Sequence, residues 1–460
     1  MSESQRSAYG EAEGQRRVSW FTAACVLVSN VIGGGIFTTT GFLARDLGDP
    51  VIILSLWLFG AILALAGAMS YSELGTALPH AGGDYVYLRE AYGPLVGFLS
   101  GWASFTVGFG AAIAASAVSF ASYFLRVVPL ATDTSLVAKG LAILLVWCLT
   151  AFHTAGVGPG GWLQRLLTTT KVISILLLIL GGFMLGAGSW TNLTVRVSET
   201  DSGLGSLVVP LIFVLYTYTG WNIAGYIAGE IADPARTIPR VMIGGTAFVA
   251  GIYLLLNLLY LYALPVTALA TPPVLPVAEK VAAALWDSTS ARLVAALLCI
   301  SIAGAVSAMV WAGPRVYYAM GRDGLFAAFF AATGRTSGAP VRAILLQSVW
   351  ASFLILTGTF EQLVIYSGLV LTTFTALSVG AVVVLRWRDP TLARPYRVPF
   401  YPMVPGLFIV ASLAIVGYSL MHRPLESALG VATILGGVPL HWLWRKQTHR
   451  HRTTAGGTAA

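Results

Sequence analysis

Apolar residues fill this chain in long runs, and polar residues mark the intervals between them. The runs fall at roughly 18–43, 51–74, 94–125, 136–155, 164–187, 205–229, 241–264, 291–320, 341–358, 361–385, 401–420 and 425–444. Each holds the ~20 apolar residues that a helix needs to cross a ~30 Å hydrocarbon core. The pattern therefore predicts an all-α integral membrane protein with twelve transmembrane helices. The third and eighth runs exceed the bilayer thickness, which predicts tilt or extension beyond it. Most connections are short. Of the two longer ones, 188–204 is polar and 265–291 holds a surface helix at 277–286. The segment 75–93 predicts a short interfacial helix from Asp84 onward, N-capped by that side chain. The polar tail 1–17 lacks the apolar core and cleavage site of a signal peptide, so the first run counts as a span. The polar segment 447–460 is expected to be disordered.

Two runs are interrupted. The first contains Ser29-Asn30-Val31-Ile32-Gly33-Gly34-Gly35-Ile36-Phe37. Each glycine in a helix costs roughly 1 kcal/mol relative to alanine. A loosened helix in hydrocarbon also exposes N–H and C=O groups that no water satisfies, so such a break survives only where it is packed in protein or lines a cavity. A half-helix beginning there aims free N–H groups and a positive dipole end into that cavity, a setting suited to a carboxylate. Glycines also let membrane helices pack closely, and the triplet alone does not separate the two readings.

The sixth run contains Leu215-Tyr216-Thr217-Tyr218-Thr219-Gly220-Trp221-Asn222, with Pro210 before it and Gly225 after it. An amide such as Asn222 at mid-span depth should face protein or a water-filled cavity. A single interhelical hydrogen bond accounts for it equally well in isolation. The pairing of the breaks matters more. Five spans separate run one from run six, so a five-helix repeat would be inverted in the membrane. Interrupted helices at matching places in two halves point to a transporter site.

Composition agrees with the pattern. Hydrophobic residues make up 57% of the chain and charged residues 10%, against roughly 25% charged in a soluble protein. The net charge of +8 is an orientation signal. With an even number of spans both termini share one side, and placing that side in the cytoplasm puts most Lys and Arg there. Arg386, Arg388, Arg394, Arg397, Arg445, Lys446, Arg450 and Arg452 are among them. Arg45, Arg126, Lys139, Arg196, Lys280, Arg292 and Arg423 are left outside. No nucleic-acid partner is needed to explain the charge. The three cysteines, Cys25, Cys148 and Cys299, all lie in apolar runs. They form neither a disulfide framework nor a metal site and read as packing residues.

Several stretches resemble the amino acid–polyamine–organocation (APC) superfamily. Val31-Ile32-Gly33-Gly34-Gly35-Ile36-Phe37 is similar to its first-span break. Ser70 to Thr76 with Pro79 to Glu90 resembles its second span and following loop. Tyr218-Thr219-Gly220-Trp221-Asn222 with Glu230 to Pro239 resembles its sixth span and exit, and Arg315 to Gly324 the end of its eighth. The match runs in order over about 18–400 and is nearest to bacterial amino acid permeases and L-type transporter light chains. It implies a LeuT-like 5+5 inverted repeat plus two C-terminal helices. The corresponding divisions are a cytoplasmic tail (1–17), two repeats (18–187 and 205–385), two further helices (401–444) and a second cytoplasmic tail (445–460). It implies an amino acid site formed by Val31, Ile32, Gly33, Gly34, Gly35, Tyr216, Tyr218, Thr219 and Asn222. There the N–H groups of Gly33, Gly34 and Gly35 hold the carboxylate, and the carbonyls of Val31, Tyr216 and Thr219 hold the ammonium. Tyr216, where members more often have Phe, is the aromatic gate, and Asn222 braces the unwound backbone. The resemblance also implies that Lys171 stands where sodium-coupled transporters bind Na⁺, tying span five to span one and exchanging a proton. The alternative for Lys171 is snorkelling to an interface about one turn away.

Other signals are weaker. Residues 156–161 fit G-x-G-x-x-G but follow a membrane span and contain Pro159, so they read as a loop. Asn192-Leu193-Thr194 is a glycosylation sequon. His153, deep in the fourth run, reads as a packed core residue. Glu73 and Glu230, at span ends, suit either pairing with arginines and gating or simple capping. No metal-ligand cluster, nucleophile motif or cofactor motif appears, which disfavours a membrane enzyme. A channel needs a continuous polar lining, and these spans offer isolated polar groups. The central parts of spans one, three, six, eight and ten carry no Asp or Glu. A buried cation without a carboxylate is costly, so neutral L-amino acids are the expected substrates. A cationic amino acid or polyamine antiporter of the same fold is the alternative, through cation–π or carbonyl contacts. The expected partners are thus an amino acid and the lipid bilayer. The sequence does not say whether an accessory subunit is present.

Overall fold

Capping residues written in the sequence, Ser19, Asp49 and Asp287, set three of the helix starts. In the computed structural model, which describes residues 17–128, 134–197, 204–272, 276–334, 337–357, 360–422 and 424–456, α1 (Trp20–Val31) begins where Ser19 accepts from the Thr22 N–H. The chain leaves the helical path at Ile32 and makes a short 3₁₀ turn at Gly35–Phe37. It resumes as α2 (Thr39–Leu47), which ends on Gly48 at φ 60°, the left-handed conformation that glycine adopts without strain. Asp49 accepts from the N–H groups of Val51 and Ile52 and starts α3 (Pro50–Ala77). Next come α4 (Asp84–Tyr92), α5 (Pro94–Val127), α6 (Thr134–Thr154) and α7 (Val157–Leu185). The sixth run forms α8 (Val208–Tyr218) and a single turn, α9 (Ile223–Tyr226). The remainder is α10 (Pro234–Ala263), α11 (Val277–Leu285), α12 (Ser288–Arg322), α13 (Val341–Thr357), α14 (Phe360–Arg388), α15 (Met403–His422) and α16 (Pro424–Gly456).

Among the described residues nine helices are long and apolar enough to cross a membrane, and α1, α8 and α13 are shorter apolar helices. All twelve apolar runs are therefore helical. α1 and α8 are short because the glycine-bearing breaks cut them. The described residues contain no strand, only an isolated parallel bridge between Val18 and Ile231.

α12 is the central element. In its most apolar stretch 72% of residues are buried, against 17% in α15. It packs on α1, α5, α7, α11 and α13. α15 leans on α3 and α14, and α16 on α14 and the start of α5, so the last two helices lie on a flank. Behind the breaks an aromatic cluster forms, with the ring of Trp57 edge-on to Tyr218 and Tyr253 at 5.7 and 5.6 Å. Such pairs add about 0.5–1.5 kcal/mol beyond area burial, and these tie α3, α8 and α10 into one wall.

Four local expectations need correction. Asp84 does not cap α4. Gly83, at φ 52°, takes the cap position, because the Asp84 carboxylate is drawn to Tyr226 and Ser378. Residues 156–161 are not all loop. Gly156 at φ 136° makes the turn, and α7 starts at Val157 with Pro159 in its first turn, where a missing N–H does no harm. The polar C-terminal segment is helical through Gly456. Cys148 is exposed on α6, unlike the buried Cys25 and Cys299. The surface helix forms as α11, burying Val277, Ala278, Val281, Ala282 and Leu285 on one face. Asn192 of the sequon is partly buried and donates to the Tyr262 carbonyl at 3.0 Å.

Candidate functional site

The two breaks meet. Asn30 Nδ2 donates to the Gly220 carbonyl at 3.0 Å, and the hydroxyls of Thr39 and Thr217 lie 2.9 Å apart. The Tyr253 hydroxyl reaches the Val31 carbonyl at 2.7 Å and the Thr217 carbonyl at 3.2 Å, bridging both broken helices from α10. Gly220 stands at φ 102°, which only glycine tolerates well. A side chain there would run into Asn30.

At the first break the N–H groups of Gly34, Gly35 and Ile36 have no acceptor among the described residues. The Gly33 N–H turns back onto the Val31 carbonyl at 2.9 Å. The free donors thus sit one residue further along than the expected set of Gly33, Gly34 and Gly35. A Cβ on Gly33 would meet nothing within 4 Å, and one on Gly34 would lie 3.5 Å from Ser119 Oγ and 3.8 Å from Ile302 Cδ1. Open space therefore lies beside the break, walled by α5 and α12. On Gly35 a Cβ would come within 2.8 Å of Thr217 Oγ1, so the close approach of the two breaks depends on that glycine.

The carbonyls are differently occupied. Val31 O already accepts from Gly33 and Tyr253, and Tyr216 O accepts the Thr219 N–H at 3.0 Å and hydroxyl at 2.6 Å. The Thr219 carbonyl accepts from none of the described residues, and Thr219 is exposed although it lies within the sixth span. Tyr218 is 1% exposed and donates to the Trp57 carbonyl at 3.2 Å. Its side chain is part of the wall. Tyr216 and Asn222 are half-buried beside the break.

Lys171, 1% exposed, does not snorkel. Its Nζ donates to Ser29 O at 2.9 Å, Ser29 Oγ at 3.1 Å and Ile32 O at 2.6 Å. An ammonium has three donors, and all three are used on carbonyls and a hydroxyl that the end of α1 leaves open. The Ser301 hydroxyl adds a long contact of 3.4 Å to Ile32 O.

At the end of the bundle that carries α4, polar contacts close the space between helices. Arg315 Nε and Trp311 Nε1 hold the two oxygens of Glu230 at 2.8 and 3.2 Å. Glu73 accepts from Arg386 at 2.8 and 2.6 Å and from the Val398 N–H at 2.7 Å. Arg89 pairs with Asp323. Tyr226 donates to Asp84 at 2.7 Å, and burial pushes the Asp84 carboxyl above its ordinary value while its hydroxyl donors oppose that shift. Glu73 and Glu230 are therefore paired residues and not helix caps. His153 is buried against the Ser307 hydroxyl at 2.9 Å. Sequence reasoning did not single out Tyr253 or Ser119. Their signal was the same as that of Asn222, a polar group in the middle of an apolar run.

Stacked apolar helices around a pair of broken ones define a multi-pass membrane transporter. The chain belongs to the amino acid permease family of the APC superfamily, whose pattern matches residues 18–435. It is 29% identical over 435 residues to a serine/threonine exchanger of Bacillus subtilis, covering 94% of this chain and 98% of that one. It is 27% identical to the large neutral amino acids transporter small subunit 2 of Mus musculus, covering 96% of this chain and 83% of that one. With the human cystine/glutamate transporter the identity is 26%, over 94% and 85%. The protein is an amino acid transporter and not an enzyme.

Proposed function

We propose that this permease moves neutral L-amino acids across a cell membrane by sodium-independent alternating access, as an exchanger or with a proton. The observation that carries this reading is the run of N–H groups at Gly34, Gly35 and Ile36 without an acceptor among the described residues, next to the open space beside Gly33. Helix-terminal N–H groups suit a carboxylate, and the Thr219 carbonyl opposite suits an ammonium. Val31, Ile32, Gly33 and Tyr216 complete the pocket, Tyr216 as gate. Asn222 braces the sixth span.

The helices fit a 5+5 inverted repeat (18–187 and 205–385) followed by two additional helices (401–444), all between cytoplasmic tails. The paired breaks at matching positions support that division. The ion pairs at the α4 end would then seal the cytoplasmic side, leaving the cleft open to the outside. Lys171 fills the place of a sodium ion, because an ammonium and Na⁺ compete for the same carbonyls, and it is the group that exchanges a proton.

The substrate class follows from charge. The carboxylates nearest the breaks along the chain, Asp46 and Asp49 after the first and Glu230 after the second, are engaged by Arg45, Arg196 and Arg315. A cationic side chain in the cleft would lack a partner. All three cysteines lie within helices, so an accessory subunit would find no loop cysteine for a disulfide. Competition against labelled substrate tests the reading. Alanine, serine and leucine should bind about tenfold or more tighter than arginine or putrescine, a difference of about 1.4 kcal/mol. Stronger displacement by arginine or putrescine overturns it in favour of the cationic antiporter.

A further inference from the structure

One buried face of α7 carries Gln164, Thr168 and Lys171, at helical spacing and 0%, 3% and 1% exposed. Polar side chains in a membrane span are rare without a task, and these turn away from lipid, toward α1 and α12. Thr168 donates to the Cys25 carbonyl at 3.0 Å, and Gln164 Nε2 lies 3.3 Å from both the Gly304 carbonyl and Thr168 Oγ1. Gly304 is a glycine where α1 approaches α12, since a Cβ there would sit 2.6 Å from Ser29 Oγ and 3.5 Å from Lys171 Cε. A polar seam thus descends from Lys171 along three helices for about 10 Å, seven residues at 1.5 Å each. Next to Gln164 along α7, Gly161 and Arg165 line a pocket of about 160 Å³ together with Arg17, Thr22 and Trp311 among others. Arg165 Nη1 donates to Thr22 Oγ1 at 2.9 Å on its wall.

The seam has one loose end. Gln164 Oε1 is buried and has no partner. Such an orphan acceptor in a polar site is where a buried water belongs. On the other side of Lys171, a second small cavity is lined by Lys171, Ser174 and Ser301 together with apolar residues.

We propose that Gln164 positions a buried water on this seam, and that the seam carries a proton between Lys171 and the pocket at Arg165, apart from the amino acid cleft. The inference rests on the reading of Lys171 as the group that exchanges a proton. The ammonium passes H⁺ to water and becomes a neutral amine, and the proton leaves by hopping through water to the pocket. A neutral amine keeps two N–H donors for Ser29 O and Ile32 O and accepts from the Ser29 hydroxyl through its lone pair, so charge-assisted bonds become weaker neutral ones and the break loosens. The ionisable groups on helices packed around Lys171 are Cys25 on α1; Lys139, Cys148 and His153 on α6; Arg165 on α7; Arg236, Arg240, Tyr253, Tyr260 and Tyr262 on α10; Glu279 and Lys280 on α11; and Arg292, Cys299, Arg315, Tyr317, Tyr318 and Arg322 on α12. None of them bonds Nζ.

The test uses the full chain in liposomes holding a pH dye. It compares uptake driven by a pH gradient with counterflow of labelled against unlabelled amino acid. Gln164→Leu should cut gradient-driven accumulation and proton flux about tenfold while leaving counterflow within about twofold. Gln164→Glu, which keeps an acceptor, should recover part of the loss. Thr168→Val, which removes only a hydroxyl from the seam, should behave as Gln164→Leu does and covers the case in which that variant does not fold. Wild-type uptake indifferent to the gradient sinks the proton reading of Lys171 itself. A gradient-driven wild type with unimpaired Gln164→Leu or Thr168→Val sinks only the seam. Equal loss of both modes makes Gln164 a packing residue and also overturns the proposal.

Discussion

Replacing Lys171 isolates what holds the first break open. Lys171→Met keeps most of the stem and removes three hydrogen bonds, to Ser29 O, Ser29 Oγ and Ile32 O. A buried carbonyl left without a donor costs about 1–3 kcal/mol, so the two carbonyls together penalise the unwound geometry by roughly 2–6 kcal/mol. Removing a buried charge also relieves a desolvation penalty. The two terms oppose each other in global stability but not in the geometry of the break. The variant should therefore unfold at a similar temperature while losing substrate affinity. Only 1.4 kcal/mol of the carbonyl penalty need reach the site for a tenfold weaker Kd. Scintillation proximity binding of a labelled neutral amino acid reads this directly, with thermal unfolding as the control. Binding by Lys171→Met within about twofold of wild type would mean that the ammonium does not support the site.

Three further outcomes follow from the same geometry. Gly35→Ala should lower transport about tenfold or more, because its Cβ would sit 2.8 Å from Thr217 Oγ1, whereas Gly33→Ala, with nothing within 4 Å, should keep at least half of it; equal effects in an uptake assay would contradict the close approach of the breaks. Glu230→Gln weakens the clasp on Arg315 and Trp311 at one end of the bundle and should slow turnover severalfold with less change in KM, as expected for an interaction outside the binding site; a change confined to KM argues against a gate. Uptake should be the same in sodium and in choline media, and strict sodium dependence would remove Lys171 from the cation position.

Much of this was legible in the sequence because a membrane leaves few solutions. Every spanning segment must satisfy its own backbone, so apolar runs map onto helices, and glycine-rich interruptions stand out as breaks. Lys171 was visible because a charge inside an apolar run demands a partner. The rest depends on contacts far apart in the chain. Asp84 reads locally as a helix cap, and only the fold brings Tyr226 and Ser378 to its carboxylate. The Gly33 N–H cannot be known to turn back on Val31 until the φ and ψ of Ile32 are fixed. Tyr253 sits in an ordinary apolar run, and its bridge between the two breaks follows from where α10 packs. Gln164 stands at the start of an apolar run, and its burial against the Gly304 carbonyl follows only from where α12 packs.

The most direct test of an amino acid site at the glycine break is labelled amino acid exchange into liposomes by wild type and Gly34→Leu side by side. Position 34 opens toward Ser119 Oγ at 3.5 Å and Ile302 at 3.8 Å, so a leucine side chain fills the space beside the free N–H groups. Wild type should give saturable, non-conductive exchange of neutral amino acids, and Gly34→Leu should be folded, membrane-inserted and inactive. Near-normal exchange by Gly34→Leu would make the glycines a helix-packing feature and move the substrate site elsewhere.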